Sequence, residues 1–130
     1  MLFLQLTLTE NATEFKAAPW VSAIKSRYPD AEVMELDNHS ELYLFQKTLT
    51  WLLQSNEGLI LHIHNYDPEA STGMIFRFLQ DVLQKKKPLL ITIQGKHAGI
   101  EKYVRAFAEY KVVASEKEAV ECLGKLKYVQ

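Results

Sequence analysis

Between Gly58 and Lys86 the chain passes from an unbroken apolar segment, through a polar loop, into a long segment with helical spacing, and few architectures accommodate that succession. Gly58-Leu-Ile-Leu-His-Ile-His64 lacks the alternation of a half-exposed strand. Near-continuous apolar character is what a central strand shows when helices cover both faces of a parallel sheet. In the loop, Asp67-Pro68-Glu69 combines a capping side chain, a proline suited to the first helical position and an early acid. This pattern predicts a helix beginning near Pro68 and capped by Asp67. Ile75, Phe78, Leu79, Val82 and Leu83 then fall three or four apart, forming one stripe to lie on a sheet. Lys85, Lys86 and Lys87 complement the carboxyl end of a helix dipole, and Pro88 forbids continuation.

The rest of the chain repeats this unit. Leu2 to Leu8 reads as a strand, followed by a helix start at Asn11 with Glu14 as reciprocal cap. Pro19 then either opens a fresh helix or kinks one that ends near Tyr28, with Trp20, Val21, Ile24 and Tyr28 buried. A second strand covers Ala31 to Leu36, with Val33 and Met34 as its core residues. Asp37 to Ser40 are capping types before a helix carrying Leu42, Phe45, Leu49, Leu52 and Leu53 to about Gln54. A fourth strand spans Pro88 to Gln94, followed by a helix with Ile100, Tyr103, Val104 and Phe107 on one face. A short fifth strand, Lys111 to Ala114, leads into a helix with a Ser115/Glu118 capping box that runs to about Lys127. Five alternations of strand and helix predict a single α/β domain over residues 1–130. The expected architecture is a three-layer α/β/α sandwich on a mainly parallel five-stranded sheet, in flavodoxin-like or Rossmann-like order. Ligands of such sheets bind beyond the carboxyl ends of the strands, where the order reverses.

Charge narrows the partners. With 15 basic and 16 acidic residues the chain carries no general electrostatic footprint for nucleic acid or an anionic membrane, so neither is expected as a partner. One cysteine, Cys122, forms no internal disulfide, and no apolar run approaches the ~20 residues of a membrane span. Together with a first segment that alternates Gln5 and Thr7 like a strand, this sets the expectation of a cytoplasmic protein. Trp20, Tyr43 and Trp51 near helix faces belong either to the core or to a self-association surface, which leaves a homodimer open.

The loops at the carboxyl edge hold the residues that could carry chemistry. Glu10 stands where a flavin phosphate would sit, no dinucleotide or Walker fingerprint occurs, and no nucleophile elbow is present, so no cofactor is expected. His62 and His64 alternate on a strand and share a face. They could share a metal or act with Asp67; the preferred reading makes His62 a core histidine and His64 a strand-end residue. Glu10, Asp67 and Glu69 follow strands one and three, as the magnesium-binding acids of topoisomerase-primase domains do, and this chain resembles that constellation only in outline. Asp67 is better explained as a cap, and no metal is expected. Gly95-Lys96-His97-Ala98-Gly99 precedes a helix with no Ser, Thr, Asp or Asn to cap it, so Lys96 and His97 mark either a small-anion site or a solvated turn.

From about Glu57 to Leu126 the chain also resembles the STAS domains of anti-sigma-factor antagonists. The likeness rests on an apolar strand, Ser71-Thr72-Gly73 where that family tends to carry Asp-Ser-Ser-Gly, a second apolar strand, and the tail Ser115-x-x-Glu118-Ala119. It implies a non-catalytic protein-interaction module switched by phosphorylation at Ser71 or Thr72. Ala70 replaces the family's aspartate, and the first 56 residues contain a helix between the first two strands that the family lacks. The leading expectation is therefore a binding or regulatory module acting through a protein partner or small ligand at the carboxyl edge, with Asn11, His64, Tyr66, Asp67, Ser71, Thr72, Lys96 and His97 as binding candidates. The alternative is a hydrolase or metal-dependent phosphoryl-transfer enzyme using His64, Asp67 and Glu10.

Overall fold

A computed structural model describes residues 1–10 and 19–125, with the side chains of residues 19 and 20 outside the description. Five strands, β1 (Leu2–Leu8), β2 (Glu32–Asp37), β3 (Leu59–Asn65), β4 (Leu90–Gln94) and β5 (Lys111–Val113), form one sheet in the order β2-β1-β3-β4-β5. Every pairing is parallel. Helices α1 (Pro19–Arg27), α2 (Leu42–Gln54), α3 (Ile75–Lys85), α4 (Ala98–Arg105) and α5 (Glu116–Gly124) connect them. α1 packs with α5, while α2 packs with α3 and α3 with α4, so helices cover both faces as the three-layer reading expects. The strand order is the flavodoxin-like one, with its reversal between β1 and β3.

The two faces of the sheet differ in chemistry. Beneath α2, α3 and α4 it is apolar along its whole length: Leu2, Leu4, Leu6 and Leu8 from β1, Leu59, Leu61 and Ile63 from β3, Ile91 and Ile93 from β4. The α3 stripe of Ile75, Phe78, Leu79 and Val82 is buried against it, each side chain contributing about 1.5–3 kcal/mol of transfer free energy. Beneath α1 and α5 only the first layer is apolar, formed by Phe3, Ile60 and Leu90 with Val21, Ile24 and Leu123. Beyond that layer the same face turns polar.

Several elements begin or face differently than their sequence suggests. α3 starts at Ile75, two turns after Pro68. Asp67-Pro68-Glu69 forms a turn instead, closed by Ala70 N donating to Asp67 O, and Asp67 caps no helix. Gly73 sits at φ +52°, outside helical space, and a Cβ there would stand 2.5 Å from the Asn38 carbonyl oxygen, so this close approach holds the helix start downstream. α2 has Glu41 at its N-cap with no side-chain bond, because Asp37 and Ser40 bond within their own turn. Its buried residues are Phe45, Thr48 and Leu52, leaving Leu42 and Leu53 exposed rather than in the stripe. β2 is an edge strand in which Leu36 is buried while Val33 and Met34 are only half-buried. Phe107 lies past the end of α4 and is exposed. The last helix ends at Gly124 with Lys125 as its C-cap, short of the expected Lys127, and the Asn11/Glu14 cap lies outside the described residues.

Candidate functional site

Parallel register carries the polar half of the α1/α5 face across three strands. Gln5, His62 and Thr92 stand abreast, and one layer further along so do Thr7, His64 and Gln94. Five of the six are buried, with Gln94 half-buried. Because side chains alternate across a strand, this polar row and the apolar Leu and Ile rows behind it come from the same three segments. Internal bonds satisfy part of the row: Gln5 Nε2 donates to Thr7 Oγ1 at 3.0 Å, and His62 Nδ1 lies 2.7 Å from Thr92 Oγ1. Burial, with the neighbouring His64 second, holds the His62 pKa down at about 4, against the opposing influence of Gln94 and Glu116. His62 is thus a neutral core histidine, in line with the preferred sequence reading.

The row surfaces at His64. Its ring stacks on Tyr66, centroids 3.8 Å apart and planes 18° from parallel, and its Nδ1 lies 3.3 Å from Glu116 Oε1 in the first turn of α5. Burial lowers the His64 pKa while Glu116 pulls the other way; Tyr66 is pushed up by burial first and by Glu116 second. Gln94 Nε2 completes the group at 3.5 Å from Glu116 Oε2. Glu116 is placed by the Ser115/Glu118 cap, in which Ser115 Oγ accepts from Glu118 N and Glu118 Oε2 accepts from Ala114 N. Tyr66 is 52% exposed, so one ring face backs on His64 and much of the phenol faces solvent. Gly95, at φ +80°, closes the end of β4 onto β3, where a Cβ would meet Asn65 O at 2.1 Å. Nearby, Asn65 Oδ1 is buried with no hydrogen-bond partner among the described residues.

A second group of loop residues sits at the reversal between β1 and β3. Asp67 Oδ2 accepts from Thr9 Oγ1 at 3.2 Å and from Glu10 N at 2.7 Å, tying the end of β1 to the loop after β3. Asn38 joins the same loops, accepting from Thr9 N and donating to Thr9 O and Ser71 O. Asp67 therefore works between loops, not at a helix start. Ser71 is exposed and Thr72 half-buried in this loop, well before α3 begins.

The Gly95–Gly99 segment also has a different role. His97 is the missing cap of α4: its Nδ1 accepts from Ile100 N at 3.3 Å and its Nε2 donates to Ala70 O at 3.0 Å. Both ring nitrogens are committed within the protein and the residue is buried. Lys96 beside it is exposed. Of the sequence candidates, the structure joins His64 to Tyr66 and sets Asp67, Ser71 and Thr72 in one loop; Asn11 lies outside the described residues. The sequence reading missed Gln94 and Glu116. Gln94, at a strand end, could have been found by counting β4 in register with β3; Glu116 carries no local signal.

Among the described residues no three His, Cys, Asp or Glu side chains are grouped to hold a metal ion, and no helix is long and apolar enough to cross a membrane. Fold and site together define a doubly wound α/β protein with a polar opening at the carboxyl edge of its sheet. Comparison of the chain with protein-family models, curated proteins and solved structures returns no significant match.

Proposed function

We propose that this protein is a non-catalytic binding or regulatory module whose ligand docks at the carboxyl edge of the sheet, over His64, Tyr66, Gln94 and Glu116. One observation carries the proposal: a buried polar row, in a sheet whose opposite face is apolar, ends in an exposed aromatic ring and a carboxylate. Burying five polar side chains and half of a sixth costs free energy that apolar replacements would not, so the row has a use beyond stability. Tyr66 supplies a face for stacking, and Glu116 supplies a hydrogen-bond acceptor. With Glu10, Asp67 and Glu69 at the same edge, the charge there favours a planar ligand bearing donors over an anion. The enzymatic alternative has less support, because Asp67 spends one carboxylate oxygen on Thr9 and Glu10. Exposed Ser71, with its carbonyl held by Asn38, is where a phosphate would act on this edge.

An NMR titration of the full chain with a panel of planar, donor-bearing fragments such as aminopyrimidines and amidines tests this. Shifts confined to the surroundings of His64, Tyr66 and Glu116, and lost in Tyr66→Ala and Glu116→Gln, are expected. Fragments that bind elsewhere, or bind both variants like the parent, would overturn it.

A further inference from the structure

At the opposite end of β4 from His64, the strand is paired on one side only. β4 pairs with β3 from Leu90 onward but with β5 only from Thr92, since β5 is three residues long. Leu90 and Ile91 therefore have no β5 residue beside them. The chain leaving α4 does not fill the space: a cleft of about 1110 Å³ remains between residues 87–91 and residues 105–111. Pockets for small ligands usually run about 300–1,000 Å³, so this one has the volume to take several residues of a polypeptide.

The lining is of two kinds. Leu89 and Phe107, on opposite sides, are each about two-fifths exposed, an arrangement that leaves apolar surface in water on both walls. Lys87, Arg105 and Lys111 bring three positive charges, against Glu109 alone. Arg105 is held in place, its Nη2 donating to Tyr110 Oη at 2.9 Å with the guanidinium carbon 5.9 Å from the Tyr110 ring centre. The whole chain has a net charge of −1, so this is a local concentration of positive charge on a protein with none to spare.

We infer that this cleft is a docking groove for an extended acidic segment of a partner protein, laid between Leu89 and Phe107 on its two exposed walls. An extended chain alternates its side chains, which lets apolar residues meet Leu89 and Phe107 while carboxylates on the other side meet Lys87, Arg105 and Lys111. Charge complementarity also argues against a second copy of this chain, because two such clefts face to face would oppose like charges. The groove shares no residue with the His64 edge, so it stands or falls independently of the function proposed there.

The probe is a fluorescein-labelled hexapeptide alternating glutamate and leucine, titrated into the full chain and followed by anisotropy and by NMR shift mapping. Saturable binding is expected, with shifts at Leu89, Leu90 and Phe107 and an affinity that falls as ionic strength rises from about 0.05 to 0.5 M. The double variant Lys87→Glu with Lys111→Glu should bind about tenfold more weakly or worse, and Lys87→Gln with Lys111→Gln should fall between it and the parent. Both lysines are exposed, and an unchanged amide spectrum verifies that each variant is folded. The inference is overturned by any of three results: no binding at millimolar peptide, equal binding of a glutamine–leucine peptide, or self-association that buries the cleft in sedimentation.

Discussion

His64 near the end of β3 and Tyr66 just past it stack face to face with ring centres 3.8 Å apart, so a buried polar residue of the strand is roofed by an exposed one. A strand puts residues i and i+2 on one side, but the near-parallel contact comes from the chain turning out of the sheet just after Asn65. The stack sets His64 under a partial lid and within reach of Glu116.

Stability should fall as the solution is acidified. The His62 pKa lies at about 4 in the folded protein, below the unfolded value of about 6.5, so between these values the unfolded chain binds the proton and the folded one does not. The contribution is fully present above about pH 6.5 and is lost progressively down to about pH 4, on the order of 3 kcal/mol in all. His64, also lowered, adds in the same direction. Urea denaturation of the parent and of His62→Gln between about pH 7 and 4.5 measures it, and the variant should show a shallower slope.

Glu116→Gln should lower two titration midpoints together. Glu116 raises both His64 and Tyr66, so removing its charge leaves His64 harder to protonate and lets the Tyr66 phenol ionise at lower pH. Imidazole and phenol resonances followed by NMR across the pH range resolve each group. A variant in which only one of them moves would show that the carboxylate faces a single partner.

Asp67→Ala should cost about 1 kcal/mol, below the roughly 1.5–3 kcal/mol of bonds to a charged group, because the carboxylate is only half-buried. The loss would come from freeing Thr9 and Glu10, and the helical circular dichroism should be unchanged. Reduced helix content would instead mean that Asp67 supports α3 directly. Measuring both the denaturation midpoint and the far-ultraviolet spectrum separates the two outcomes.

Much of the architecture was legible in the sequence because burial on two sides leaves a pattern that survives without the structure. The runs Leu2 to Leu8 and Gly58 to His64, the α3 stripe and the Ser115/Glu118 cap are local signals, each set by side chains within about a turn or a strand of one another. The flavodoxin-like order and the polar row were not legible, because both depend on which strands lie side by side. His62 meets Thr92, and Gln94 meets Glu116, across sequence gaps that carry no periodicity.

Local signals were overridden where distant groups offered better bonds. Asp67 has the sequence context of a helix cap, yet Thr9 and Glu10 come close enough to take its carboxylate, and Gly73, pressed against Asn38, delays the helix. His97 is a weak capping type by composition, yet Ala70 O orients its ring to cap α4. Composition and periodicity thus decided which segments are strands and helices, since burial of apolar surface is encoded residue by residue. Which polar groups meet was decided only by tertiary structure, since a hydrogen bond needs two partners brought within about 3 Å by the rest of the fold.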